Sequence, residues 1–147
     1  MEKDDTIDIL IVEDNVHDAE LALRALDKKN IQHKFLHLKD GVSALDYLFG
    51  TGEFKGRNTF NKPKVILLDL KMPKINGIEV LQQIKSSRIT RNIPVVVLTS
   101  SKEITDVVKC YSLGANSYIV KPVDFELFSQ AVVEIGVYWL HFNQPPI

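Results

Sequence analysis

The fold this sequence predicts is a doubly wound (βα)5 sandwich, a parallel sheet with helices on both faces. Five short apolar runs recur along the 147 residues, segments of helical period separate them, and polar residues gather where the runs end. Strands alternating with helices imply βαβ units. Strands covered on both faces read as continuous Val, Ile and Leu rather than as strict alternation.

The elements come in order along the chain. Ile7 to Val12 forms the first run and ends in Glu13-Asp14, after which Val16, Ala19, Leu23 and Leu26 share one helical face. Lys34 to Leu38 is a weaker second strand. Thr51 to Pro63, with Gly52, Gly56, Asn58 and Asn61, reads as a long loop inserted before the third strand. Val65-Ile66-Leu67-Leu68 ends in Asp69, and Ile78, Leu81 and Ile84 mark the next helix. Val95-Val96-Val97-Leu98 ends in Thr99-Ser100-Ser101, hydroxyls placed to cap a helix beginning near Lys102. Ser117 to Val120 is again weak and leads into Lys121-Pro122. Asp124 stands at an N-cap position, and Phe125, Phe128, Val132, Ile135, Trp139 and Phe142 then step by threes and fours into one apolar stripe. Pro145-Pro146 cannot continue that helix.

Composition narrows the classes. Forty-five per cent apolar and 25% charged residues are globular proportions, and 147 residues suit a single domain over 1–147, with a core of about 7–142 and a short tail 143–147. Eighteen Lys and Arg against nineteen Asp and Glu leave a net charge of −1, so no global basic field draws the chain to nucleic acid or to an anionic membrane. The charged start Met1-Glu2-Lys3-Asp4-Asp5 lacks the form of a signal peptide, and no run approaches the ~20 apolar residues of a membrane span. The one cysteine, Cys110, cannot close an internal disulfide and fits a small buried hydrophobe. A cytoplasmic location is expected. His17, His33, His37 and His141 lack metal-ligand spacing.

In an open parallel sheet the site lies beyond the carboxyl ends of the strands. That rule brings Glu13, Asp14, Asp69, Thr99 and Lys121 together. Three adjacent carboxylates repel one another and must hold protons or bind a cation. Hard oxygen ligands in an open crevice suit Mg²⁺, which keeps waters and accepts phosphate oxygens. An aspartate beside Mg²⁺ can attack phosphorus and form an aspartyl phosphate, and Lys121 and Thr99 can supply a charge and a hydroxyl donor to it. Lys121-Pro122 makes a stiff turn able to aim the lysine inward.

Ile-Val-Glu13-Asp14, Leu-Leu-Asp69-Leu-Lys71-Met72-Pro73 with Gly77 beyond it, Leu98-Thr99-Ser100, Gly114-Ala115 and Tyr118-Ile-Val-Lys121-Pro122 together resemble a response-regulator receiver domain, over roughly residues 7 to 142. The resemblance implies a flavodoxin-like sheet in the order 2-1-3-4-5 and a phosphorylation switch in a two-component pathway. Asp69 would accept a phosphoryl group from a phosphohistidine on a sensor histidine kinase. Glu13, Asp14 and Asp69, with the backbone carbonyl of Lys71, would bind Mg²⁺. Lys121 would pair with the phosphoryl group, Thr99 would move toward it, and Tyr118 would rotate inward behind Thr99. Glu13 stands where many relatives have Asp, and Asn76 precedes Gly77 where Asp is frequent. Lys71 and Ser101 occupy places that influence acyl-phosphate lifetime in the family.

No output domain comes after the motifs, so the signal is expected to pass by docking. The inserted loop and the long last helix resemble stand-alone regulators that partner phytochrome kinases in cyanobacteria. The aromatic end of that helix, Tyr138, Trp139 and Phe142, suggests a homodimer built around it. A flavodoxin-like electron carrier shares the fold, but Glu13-Asp14-Asn15 would repel a flavin phosphate. A Mg²⁺-dependent phosphohydrolase would want a second acid after Asp69, where Leu70 to Pro73 stand instead. A receiver-like module that takes no phosphate is disfavoured by the complete set of site residues.

Overall fold

A computed structural model describes residues 6–29 and 33–146; the charged start, Met1 to Asp5, lies outside the described residues. Among them, β1 (Ile9–Val12), β2 (Phe35–Leu38), β3 (Val65–Leu68), β4 (Val95–Thr99) and β5 (Ser117–Val120) form one sheet. The order is β2-β1-β3-β4-β5 and every pairing is parallel. Five helices connect the strands or extend from the last one: α1 (Val16–Lys28), α2 (Gly41–Phe49), α3 (Gly77–Ser86), α4 (Ile104–Leu113) and α5 (Phe125–Val137).

The strength of each apolar run reports its place in the sheet. β1, β3 and β4 are buried throughout and occupy the three inner positions, whereas β2 and β5, the weak runs, are the half-exposed edges. One core packs Leu10, Ile66, Val95 and Val97 against α2, α3 and α4 through Leu48, Leu81, Ile84 and Cys110. The other packs Ile9, Ile11, Val65 and Val96 against α1 and α5 through Leu26, Phe128, Val132 and Ile135. Fully buried side chains such as Leu26, Leu81 and Ile84 each contribute about 1.5–3 kcal/mol by leaving water.

Three local expectations change. The segment after α2 is no plain loop, because Gly52–Phe54 makes a 3-10 turn and Arg57 pins the chain on either side of itself. Arg57 Nε donates to the Tyr47 carbonyl at 2.6 Å, its Nη1 donates to the carbonyls of Asn58 and Asn61, and its guanidinium lies 4.0 Å from the Tyr47 ring centre. The fourth helix starts at Ile104 rather than near Lys102, with Glu103 as an N-cap that makes no side-chain bond. Ser101 Oγ instead accepts from Glu103 N at 3.3 Å and donates to Asp106 Oδ2 at 2.6 Å.

The last helix also breaks its own pattern. α-Helical geometry ends at Val137, and Tyr138–Phe142 continues as a π-helical turn closed by Asn143 N to the Tyr138 carbonyl at 2.7 Å. The wider turn shifts the phase of the face. Leu140 therefore joins Trp139 against the core and Phe142 is left 74% exposed, while at the opposite end of the helix Phe125, the first residue of the expected stripe, is 65% exposed. Asp124 caps α5 as expected, its Oδ1 accepting from the N–H groups of Glu126 and Leu127.

Candidate functional site

The carboxyl ends of β1, β3, β4 and β5 converge on one crevice. Glu13 comes directly after β1, and Asp69 directly after β3, where its N–H donates to the Val12 carbonyl at 3.0 Å and so joins the two strand ends. Thr99 is the last residue of β4, and Lys121, just past β5, donates its N–H to the Thr99 carbonyl at 2.7 Å. Sequence separation is erased by parallel register.

Carboxylate oxygens of Glu13, Asp14 and Asp69 all lie within 4.8 Å of one another. Asp14 is exposed, whereas Glu13 and Asp69 are buried. Glu13 Oε2 accepts from Asn15 N at 3.2 Å, and Asn15 in turn caps α1. The Glu13 carbonyl accepts from His37 Nε2 at 2.7 Å, which requires that nitrogen to carry its proton. Burial first, then the hydrogen bond and charge of Asp69, push the Glu13 carboxyl up to about 8, against the opposing pull of Lys121. A donor set of crowded, partly desolvated carboxylates fits a divalent cation, whose charge would relieve the repulsion.

Lys121 supplies the opposite charge. Its Nζ lies 2.6 Å from Glu13 Oε1, 2.8 Å from Asp18 Oδ2 and 3.6 Å from Asp69 Oδ2. Burial alone would lower its pKa, but the bonds to Asp18 and Glu13 and the charge of Asp69 outweigh it and raise the value above the ordinary lysine range. Asp18, in the first turn of α1, escaped the reading of the sequence. The only signal there was an acid at a helix N-terminus, which the helix dipole explains by itself.

The remaining expected residues stand around this cluster. Thr99 is fully buried, and its Oγ1 accepts from Ser101 N at 3.4 Å. Tyr118, half-buried on β5, donates its hydroxyl to the Ser101 carbonyl at 3.0 Å; burial is the main cause of the upward shift of its phenol. Ser101 thus touches the hydroxyl, the aromatic and α4 at once. The Lys71 side chain is exposed, and its N–H donates to Asp69 Oδ1 at 3.4 Å. Cys110 is buried, and burial then the charge of Asp106 push its thiol up to about 11, which leaves it an inert hydrophobe.

The loop from β3 to α3 is shaped around Asp69. Gly77 N donates to the Leu70 carbonyl at 2.8 Å, and a Cβ on Gly77 would collide with the Asp69 carbonyl oxygen and the Leu70 backbone. Glycine is therefore required by close approach. Lys74, within the same loop, holds φ at 67°, a left-handed conformation uncommon for a residue with a side chain.

Residues 9–133 match the family model described as the response regulator receiver domain. The chain is 44% identical over 146 residues to the probable methanogenesis regulatory protein FilR2 of Methanothrix harundinacea, covering 99% of this chain and 92% of that one. Response regulator Rcp1 of Synechocystis is 38% identical over 132 residues, covering 90% of this chain and 88% of its own, and its Mn(2+)-bound structure superposes with a TM-score of 0.87 at 37% identity over 95% and 98% of the two chains. The phosphorylated cyanobacterial phytochrome response regulator RcpA gives a TM-score of 0.89 at 37% identity, covering 97% and 99%. Together with the sheet order and the convergent carboxylates, these likenesses show that the chain belongs to the response regulator receiver domain family of two-component phosphorelay signalling.

Proposed function

We propose that Asp69 is the phosphoacceptor, served by Mg²⁺ at Glu13, Asp14, Asp69 and the Lys71 carbonyl. The observation that carries this reading is the placement of buried Asp69 between the converging carboxylates and the Lys121 ammonium. When bound, the cation neutralises charge on the phosphoryl oxygens. An Asp69 oxygen bonds to phosphorus as the bond to the donor's histidine nitrogen breaks, and the imidazole leaves with the electron pair. Lys121 then pairs with a phosphoryl oxygen, and Thr99 gives its hydroxyl to another. Withdrawing Thr99 Oγ1 from Ser101 N loosens the segment whose carbonyl holds Tyr118, which allows Tyr118 to turn inward.

The donor is a sensor histidine kinase in the cytoplasm, of phytochrome type by likeness to the phytochrome response regulator RcpA. No helix among the described residues is long and apolar enough to cross a membrane. The output surface is the last helix, where Phe125, Leu127, Tyr138 and Phe142 are each at least half exposed. A homodimer formed there is supported by these exposed apolar side chains, and sedimentation showing a monomer at high concentration with and without phosphate would reject it.

The decisive experiment is intact mass after incubation with Mg²⁺ and acetyl phosphate. Gain of one phosphoryl group by the parent and none by Asp69→Asn is expected. Gain by neither chain, from acetyl phosphate or from a kinase, would favour a module that takes no phosphate.

A further inference from the structure

Lys121 has a partner that the acceptor chemistry does not ask for. Asp18 Oδ2 lies 2.8 Å from its Nζ, inside hydrogen-bond range, while Asp69 Oδ2 stands at 3.6 Å. Asp18 is not among the three carboxylates that converge for a cation. Its side chain is 29% exposed and that of Lys121 only 11%, so the pair lies at the edge of the crevice with the lysine inside. Both backbones are anchored: Asp18 N donates to Asn15 Oδ1 at 3.1 Å, and Lys121 N donates to the Thr99 carbonyl at 2.7 Å. The contact spans 103 residues of sequence.

Glu13 and Asp69 serve two cations that cannot share them freely. An ammonium bonded to Glu13 at 2.6 Å opposes a divalent ion seeking the same carboxylate, since two positive charges a few ångströms apart repel. Asp18 offers the ammonium a carboxylate outside the cation cluster. An ammonium carries three donors, so one bond to Asp18 leaves two for phosphoryl oxygens. We propose that Asp18 is the positioning residue of Lys121, the carboxylate that keeps the ammonium at the edge of the site when a divalent cation takes Glu13 and Asp69. This inference rests on the cation-assisted phosphoacceptor role of Asp69, yet its readout is metal affinity rather than phosphorylation.

The test is calorimetric titration of Mg²⁺ into the parent chain, Asp18→Asn, Lys121→Met and the double variant. Asp18→Asn is expected to weaken Mg²⁺ about fivefold in the parent, because Lys121 then has only the metal carboxylates, and by less than about twofold in the Lys121→Met background. Asp18→Glu should restore binding. Equal losses in the two backgrounds, or no loss in either, would overturn the positioning role while leaving the cation site intact. Absence of Mg²⁺ binding by the parent itself would overturn the phosphoacceptor reading beneath it. If Asp18→Asn fails to fold, Asp18→Ser, which keeps a polar group in the first turn of α1, carries the same comparison.

Discussion

Lys121 Nζ and Asp69 Oδ2 lie 3.6 Å apart, too far for a hydrogen bond and close enough for direct attraction. This Asp69 oxygen therefore feels the ammonium without being capped by it. The second oxygen, Oδ1, accepts a long 3.4 Å bond from Lys71 N. A carboxylate so lightly held by these two groups keeps lone pairs available, as the proposed attack on phosphorus requires.

The raised pKa of Glu13 makes cation binding dependent on pH. The native chain holds on Glu13 a proton that the unfolded chain releases near 4.5, so this contribution to stability is fully present below about pH 4.5 and is lost as pH rises through about 8. A cation must displace the same proton. Apparent Mg²⁺ affinity is expected to climb from about pH 6 to about pH 8 and level off above, with proton uptake by the buffer visible in calorimetry. A flat affinity across that range contradicts the assignment.

Gly77→Ala should disturb Asp69 directly. The added methyl meets the Asp69 carbonyl and the Leu70 backbone, neither of which is a flexible side-chain end. Overpacking of this kind costs about 1–3 kcal/mol, readable as a lowered urea midpoint. Phosphoryl gain from acetyl phosphate should fall further than the loss of folded chain accounts for.

Arg57 holds the inserted loop by one planar group that meets three carbonyls and the Tyr47 ring. Arg57→Ala is expected to cost about 2 kcal/mol and to open 51–63 to limited proteolysis, while Arg57→Lys fails to restore protection because an ammonium cannot reproduce the fork. Equal cleavage rates in all three chains would refute the role.

Lys71 extends its side chain into solvent beside Asp69, with its N–H on the carboxylate. We predict that this side chain shields the phosphoryl group from water, so Lys71→Asn shortens the aspartyl-phosphate lifetime severalfold. Decay of phosphorylated mass after removal of acetyl phosphate measures it, and unchanged decay removes the idea.

The apolar runs alone were enough to place β1, β3 and β4, because an inner strand of a parallel sheet has no polar face to confuse the pattern. β1 begins two residues later than Ile7 suggests, although Asp8 still bonds the chain on both sides through its backbone, its N–H donating to the Lys34 carbonyl at 2.8 Å and its carbonyl accepting from Lys64 N at 2.8 Å. The phase of the last helix was not legible past Val137, because a π-helical turn keeps an apolar composition while changing which residue faces inward.

By itself the sequence determined the (βα)5 order and the positions of Glu13, Asp14, Asp69, Thr99 and Lys121 at strand ends, because burial on both faces selects strand residues and the chain must put its polar groups where strands stop. Tertiary structure decided the rest. The bond from Asp18 to Lys121, the shift of the Glu13 carboxyl to about 8 and the hub at Ser101 all arise between residues on different elements. Distance and desolvation act through space, and no periodicity along the chain encodes them.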